Sequence, residues 1–217
     1  MMTPVLFDLD GTLADTAPDM AYALNQVLQD HQLPPVPFSE IRPLVSHGGA
    51  ALIQHGFQIG TDHAQFESYR QQFLQCYQHN INQHTRLFAG MEQVLQTLEA
   101  RQQPWGVVTN KPAWLTEPLM AALGLSQRAA CIVSGDTTPQ RKPHPEPLFY
   151  ACQKMAIAPQ HCWYIGDAER DIEAGRRAGM QTLIALFGYL TADDQPHTWG
   201  ANGLITHPLD ILNWVTT

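Results

Sequence analysis

The chain has 217 residues, 44% of them hydrophobic and 15% charged, and its 12 basic residues against 20 acidic ones give a net charge of −8. That length suits one domain with a sizeable buried core, or a core domain plus a small insert, and the balance excludes a disordered or collagen-like chain. It also argues against nucleic acid as a partner, since no basic cluster offsets the charge, and no apolar run approaches the roughly 20 residues that span a bilayer.

The opening Met1-Met2-Thr3-Pro4-Val5-Leu6-Phe7-Asp8 has no basic flank and meets an acid after three apolar residues, so no export signal is expected there. The cysteines Cys76, Cys131, Cys152 and Cys162 form neither a CxxC pair nor a zinc spacing, which fits reduced thiols in a cytoplasmic protein. A first buried strand is expected over Val5–Leu9. After it, from about Ala14 to Arg86, helical patterns follow one another with no convincing strand. Pro18–Asp30 and His63–Gln78 carry apolar residues at helical spacing, Leu33–Pro37 is a proline-rich turn, and Ser46-His47-Gly48-Gly49 is a loop able to open a short helix.

Alternation then begins. Strands are expected at Trp105–Thr109, Ala130–Val133, Cys162–Ile165 and Thr182–Leu186, with a weaker one at Gly203–Ile205. Their apolar runs lack alternation, as strands buried on both faces do. Helices are expected over Gly90–Gln102, Pro112–Leu123, Glu146–Met155 and Glu169–Ala178, with Gly124 and Gly179 placed to end two of them. Such an order predicts an α/β fold, a doubly wound Rossmann-like parallel sheet with an all-helical insert after the first strand.

Ligands of such a sheet sit beyond the carboxyl ends of its strands. Those ends carry Asp8 and Asp10, Thr109 and Asn110, Ser134 to Asp136, and Gly166 and Asp167. Lys142 lies in a following loop, and Asp171 lies one helical turn past Asp167. Alone, Asp8-Leu9-Asp10-Gly11 also fits a solvated turn, and Asp167 and Asp171 also fit a helix N-terminus. Their convergence on one rim favours a site, because four carboxylates together call for a hard cation with oxygen ligands such as Mg²⁺. Without the cation, four acids and Lys142 leave about three negative charges, which would reject a phosphate dianion; with it, about one remains. Of the other lysines, Lys154 reads as solvated, and Lys111 reads as a surface residue able to reach the same rim.

Asp8-Leu9-Asp10-Gly11-Thr12-Leu13, Val107-Val108-Thr109-Asn110, Lys142-Pro143 and Gly166-Asp167-Ala168-Glu169-Arg170-Asp171 resemble, in order and spacing, the four motifs of haloacid dehalogenase superfamily phosphatases. The resemblance implies an α/β core over 1–14 and 87–217 and a helical cap over 15–86. It implies that Asp8 attacks phosphorus to form an aspartyl phosphate, and that Asp10 first protonates the leaving group and then activates water. Thr109, the Asn110 backbone N–H and Lys142 would hold the phosphoryl oxygens. Mg²⁺ would be held by Asp8, the Asp10 carbonyl and Asp167, with Asp171 in support.

Further segments, among them Leu87-Phe88-Ala89-Gly90-Met91, Trp105 through Pro112, Pro145-Glu146-Pro147 and Trp199-Gly200-Ala201, are similar to the phosphoglycolate-phosphatase-like group. Within it they are similar to phosphatases of N-acetylmuramic acid 6-phosphate in peptidoglycan recycling. The implied partner is a small phosphate monoester: that acidic sugar phosphate, or 2-phosphoglycolate as the alternative. His144, between Pro143 and Pro145, stands where the group has an acid. Ser46, His47 and Gly48 resemble the cap's specificity loop, and Arg42 is a candidate for a substrate carboxylate or a surface arginine. The cap has no lysine for the Schiff base of a phosphonate hydrolase, and Asp10 and Asp167 exceed what a dehalogenase needs. A mutase and a non-catalytic phosphate-binding regulator share the motifs, and monomer and homodimer are both compatible with the sequence.

Overall fold

A computed structural model describes residues 3–215; Met1, Met2, Thr216 and Thr217, the outer ends of the expected core segments, lie outside the described residues. The first strand, β1 (Val5–Phe7), is followed by the two-residue β2 (Ala14–Asp15) and by helix α1 (Ala17–Asp30). Then come α2 (Phe38–Ile41), a 3-10 helix over Arg42–His47, α3 (Gly48–Phe57), α4 (Phe66–His79) and the two-residue β3 (Arg86–Leu87). Elements alternate from there: α5 (Met91–Ala100), β4 (Trp105–Val108), α6 (Ala113–Ala122), β5 (Ile132–Val133), α7 (Glu146–Met155), β6 (Trp163–Gly166), α8 (Glu169–Arg177), β7 (Gln181–Ala185) and β8 (Gly203–Ile205).

Six strands form one parallel sheet in the order β5-β4-β1-β6-β7-β8. β1 lies in the middle, with Phe7 in register with Val107 on one side and Ile165 on the other. Its side chains explain why it can sit there. Val5 and Phe7 pack with Met91, Val94, Leu95 and Leu98 of α5 on one face, while Leu6 packs with Leu148, Ala151 and Cys152 of α7 on the other. A strand covered on both faces needs apolar residues throughout, and VLF supplies them. From β1 the chain builds outward to β4 and β5, then returns to build β6, β7 and β8 on the other side. The crevice beside β1 is therefore the switch point of the topology. Gly124 and Gly179, both at positive φ, follow α6 and α8 as expected of helix-ending glycines.

The helices between β2 and β3 share their own apolar cluster. Leu24 and Leu28 of α1, Leu52 and Ile53 of α3, and Phe73 and Tyr77 of α4 are buried together with Leu115 of α6 and Tyr189. The expectation of no strand from Ala14 to Arg86 is corrected at both ends. β2 and β3 pair antiparallel where the chain leaves the sheet and returns, Ala14 against Leu87 and Asp15 against Arg86. Two-residue strands carry no periodicity to detect. Asp19 fixes the return by accepting from the backbone N–H groups of His84 and Thr85 and from the Thr85 hydroxyl. The loop at Ser46–Gly49 does open a helix, α3, which begins at Gly48.

Candidate active site

The carboxyl ends of β1, β4 and β6 lie side by side, and Asp8, Thr109 and Asp167 follow them directly. Asp8 N–H donates to Ile165 O at 2.8 Å and Thr109 N–H to Val133 O at 2.9 Å, so the sheet ladder itself aims the first residue past each strand. All three side chains are nearly inaccessible. Gly11, at φ +86°, turns the chain after Asp10 in the left-handed region, and a Cβ there would collide with the Asp167 carboxylate.

Asp8, Asp167 and Asp171 each present a carboxylate oxygen within 4.8 Å of the others, all buried. Lys142 stands among them, its Nζ 2.9 Å from Asp8 Oδ1 and 2.7 Å from Asp171 Oδ1, and it also donates to Val108 O and the Tyr164 hydroxyl. Burial resists ionisation of Asp171, but Lys142 and then Arg170 outweigh it and hold its carboxyl below the usual range. Burial dominates at Asp8 and pushes it up against the pull of Lys142. Burial, with the neighbouring charges of Asp8 and Asp171, pushes Asp167 up to about 7. Despite the ion pair, Asp8 Oδ1 receives no well-directed hydrogen bond. A buried group of oxygen donors with one under-satisfied oxygen fits a small, hard divalent cation.

Asp10 stands apart from that group. Its Oδ1 accepts from the Thr16 hydroxyl at 2.6 Å and from Lys111 Nζ at 2.8 Å, and the residue lines an open-mouthed cavity of about 690 Å³ between sheet and insert. Lys111 corrects the expectation of a surface lysine: it is 8% exposed and held by Asp10 and Tyr77. Arg170 also lines the cavity and donates to Ser46 O. Three cations therefore face the four carboxylates, not Lys142 alone, and the protein by itself leaves one negative charge where three were expected.

Thr109 and Asn110 line the same cavity. The Asn110 side chain is occupied elsewhere, donating to Lys142 O at 3.0 Å and accepting from Lys142 N–H at 3.1 Å, which ties the β4 end to the lysine loop. Beyond β5, Ser134 is buried, while Asp136 accepts from Ala113 N–H at the start of α6 and does not line the cavity.

The insert reaches the site through Ser46, His47 and Gly48, all of which line the cavity, and the Ser46 hydroxyl donates to Asp167 Oδ2 at 2.7 Å. Arg42 is oriented differently from the carboxylate-binding role raised for it. Its guanidinium donates to Gly188 O and Phe187 O and lies 4.9 Å from the Tyr189 ring centre, outside the cavity wall. Sequence reading missed the cavity residues Tyr77, Arg70, Trp114 and Arg141. Tyr77 and Trp114 carry helical apolar spacing like any packing residue. Arg141 did have a signal, because it directly precedes Lys142.

An α/β sheet with a helical insert gathers carboxylates and a lysine at its switch point, the place where such sheets bind their ligands, and so has the architecture of an α/β enzyme. The chain belongs to the haloacid dehalogenase-like hydrolases, whose family model matches residues 5–185. It is 41% identical to an N-acetylmuramic acid 6-phosphate phosphatase of Pseudomonas putida, over 95% of this chain and 93% of that one. It is 43% identical to a phosphoglycolate phosphatase of Xanthomonas campestris, over 94% of this chain and 92% of that one. Among solved structures it is similar to that of a predicted phosphoglycolate phosphatase from Haemophilus somnus, with a TM-score of 0.87 and 27% identity over 100% of this chain and 98% of the other.

Proposed function

We propose that the chain is a Mg²⁺-dependent phosphatase that cleaves a small acidic sugar phosphate, N-acetylmuramic acid 6-phosphate, through an aspartyl phosphate on Asp8. The observation that carries the reading is the convergence of Asp8, Asp10, Asp167, Asp171 and Lys142 on the switch point of the sheet. Asp8 is the nucleophile, and Asp10, whose Oδ2 carries no hydrogen bond among the described residues, gives a proton to the departing alkoxide and later takes one from water. Thr109, the Asn110 N–H and Lys142 hold the phosphoryl oxygens. Mg²⁺ would sit among Asp8, the Asp10 carbonyl and Asp167, near Asp171, and would supply charge neutralisation for the incoming dianion. Residues 15–86 act as the cap over a core of 1–14 and 87–217, with Ser46, His47 and Gly48 facing the leaving group. The four unpaired thiols suit a cytoplasmic setting.

Cavity size supports the sugar over the smaller candidate. About 690 Å³ lies within the roughly 300–1,000 Å³ that takes a drug-sized ligand and far exceeds a two-carbon phosphate. Phosphoglycolate remains the second reading because relatives of that name are equally similar. The test is phosphate release with MgCl₂ from N-acetylmuramic acid 6-phosphate, 2-phosphoglycolate and hexose 6-phosphates, with Asp8→Asn alongside. Highest kcat/KM for the first, and no turnover by Asp8→Asn, is the expected result. A preference for 2-phosphoglycolate removes the sugar assignment, and an active Asp8→Asn protein removes the mechanism.

A further inference from the structure

Lys111 is buried at the edge of the cavity, yet the steps assigned to Asp8, Asp10 and Lys142 make no use of it. A buried ammonium is retained only where its partners repay its desolvation, and both of its partners are informative. One is Asp10 Oδ1, at 2.8 Å. The other is the hydroxyl of Tyr77, at 2.9 Å, on helix α4 of the insert, and the ammonium also lies 4.5 Å from the centre of the Tyr77 ring. The Lys111 backbone is held on both sides. Its N–H donates to the Thr109 hydroxyl at 3.2 Å, and its carbonyl accepts from Gly135 N–H at 2.8 Å and the Thr116 hydroxyl at 3.1 Å. A side chain rooted that firmly has a fixed direction.

On the other side of Asp10, Thr16 donates to the same oxygen, Oδ1, at 2.6 Å. Both bonds end on one carboxylate oxygen and leave Oδ2 for the cavity that Asp10 lines. A carboxylate pinned by one oxygen from two directions cannot rotate freely, and the second oxygen is presented in one orientation. One of the two pins reaches Asp10 through a residue whose other partner belongs to the insert. Where α4 stands therefore bears on where Oδ2 points.

We propose that Lys111 is a positioning residue which, bridging Tyr77 of the insert to Asp10, orients the free oxygen of Asp10 toward the leaving-group oxygen. This rests on the reading of Asp10 as the proton donor to the leaving group. It assigns to Lys111 neither contact with phosphorus nor a share in holding the cation.

Leaving groups separate this role from a merely structural one. An alkoxide leaves well only when protonated, whereas p-nitrophenolate is stable as its anion and needs no donor. The experiment measures the first-turnover release of leaving group from a hexose 6-phosphate and from p-nitrophenyl phosphate, with MgCl₂, for wild type, Lys111→Met, Tyr77→Phe and Asp10→Asn. General acid catalysis contributes roughly 10²–10⁴-fold. Accordingly the alkyl-to-aryl rate ratio is expected to fall at least ~30-fold in Asp10→Asn and Lys111→Met. In Tyr77→Phe, which removes one hydroxyl and leaves the ring packing, it falls by a smaller factor in the same direction. Equal losses on both substrates in Lys111→Met and Tyr77→Phe, with the ratio collapsing only in Asp10→Asn, overturn the role of Lys111 and leave Asp10 as the acid. An unchanged ratio in Asp10→Asn overturns the acid reading itself.

Discussion

The Ser46 hydroxyl donates to Asp167 Oδ2 at 2.7 Å, so a residue of the helical insert ends directly on a member of the buried carboxylate group. Arg170, three residues past Asp167, answers by donating to the Ser46 carbonyl. The insert is thus held to the sheet at the site itself as well as along its apolar seam with Leu115 and Tyr189. A hydrogen bond of this kind is worth about 0.5–1.5 kcal/mol net. Ser46→Ala is therefore expected to raise KM for the preferred phosphate ester about 2–10-fold while kcat changes less, as initial rates would establish. A fall in kcat at constant KM would mean that Ser46 serves the chemical step and not closure.

Lys142 separates Asp8 from Asp171, both of which it contacts within 3 Å. Removing one partner of a buried ion pair costs roughly 3–5 kcal/mol, because the remaining charges lose their compensation. Lys142→Met should therefore lower the melting temperature strongly in chelator and recover part of the loss in MgCl₂, since a divalent cation can neutralise the same carboxylates. Thermal scans in both conditions measure this. Absence of any Mg²⁺-dependent recovery would argue against a cation among Asp8, Asp167 and Asp171.

Asp167 carries the pH dependence. Its ordinary value is 3.8, and burial beside Asp8 and Asp171 pushes it up to about 7. Between those values the folded chain holds a proton that the unfolded chain has released, so this group's contribution to stability falls as pH rises through the window. A cation held by this carboxylate would have to displace the proton, which becomes easier as pH rises toward about 7. The rise in melting temperature on adding MgCl₂ is expected to be larger at about pH 8 than at about pH 5. Equal rises at both would show that Asp167 is already ionised without help.

Order along the chain was legible for a physical reason. Strands covered on both faces must be continuously apolar, as Val5–Phe7 and Trp105–Val108 are, and helices on the faces must show i, i+3, i+4, i+7 spacing, as Met91, Val94, Leu95 and Leu98 do. Site residues immediately after such strands, Asp8, Thr109 and Asp167, inherit that legibility. Lys111 did not, because one residue type serves both solvent and buried pairing, and its partner Tyr77 lies 34 positions away. Arg42 was open between a substrate carboxylate and solvent, and neither reading pointed to the carbonyls of Phe187 and Gly188, which its guanidinium meets across the fold. Long-range pairings of polar groups leave no local pattern, whereas burial does.

Trp114 carries the prediction for substrate choice. It stands in the first turn of α6, lines the cavity, and is 42% exposed, although an indole of that size is normally covered. Arg141, also on the cavity wall, has no ion-pair partner among the described residues, whereas Arg70 is paired with Glu67. An apolar plate and a free guanidinium on one wall suit a ligand with a hydrophobic ring face and an acidic substituent, as a lactyl-bearing sugar has. Covering roughly 40 Å² of indole is worth about 1 kcal/mol, about fivefold in affinity. Trp114→Ala should raise KM for N-acetylmuramic acid 6-phosphate by about that factor and change KM less for 2-phosphoglycolate, which has no ring to lay on the indole. Arg141→Gln should raise KM for the acidic sugar more than for glucose 6-phosphate, which lacks the carboxylate. Parallel KM changes for all three esters in both variants would mean that this wall only encloses the cavity, and that discrimination lies with Ser46, His47 and Gly48 on the insert.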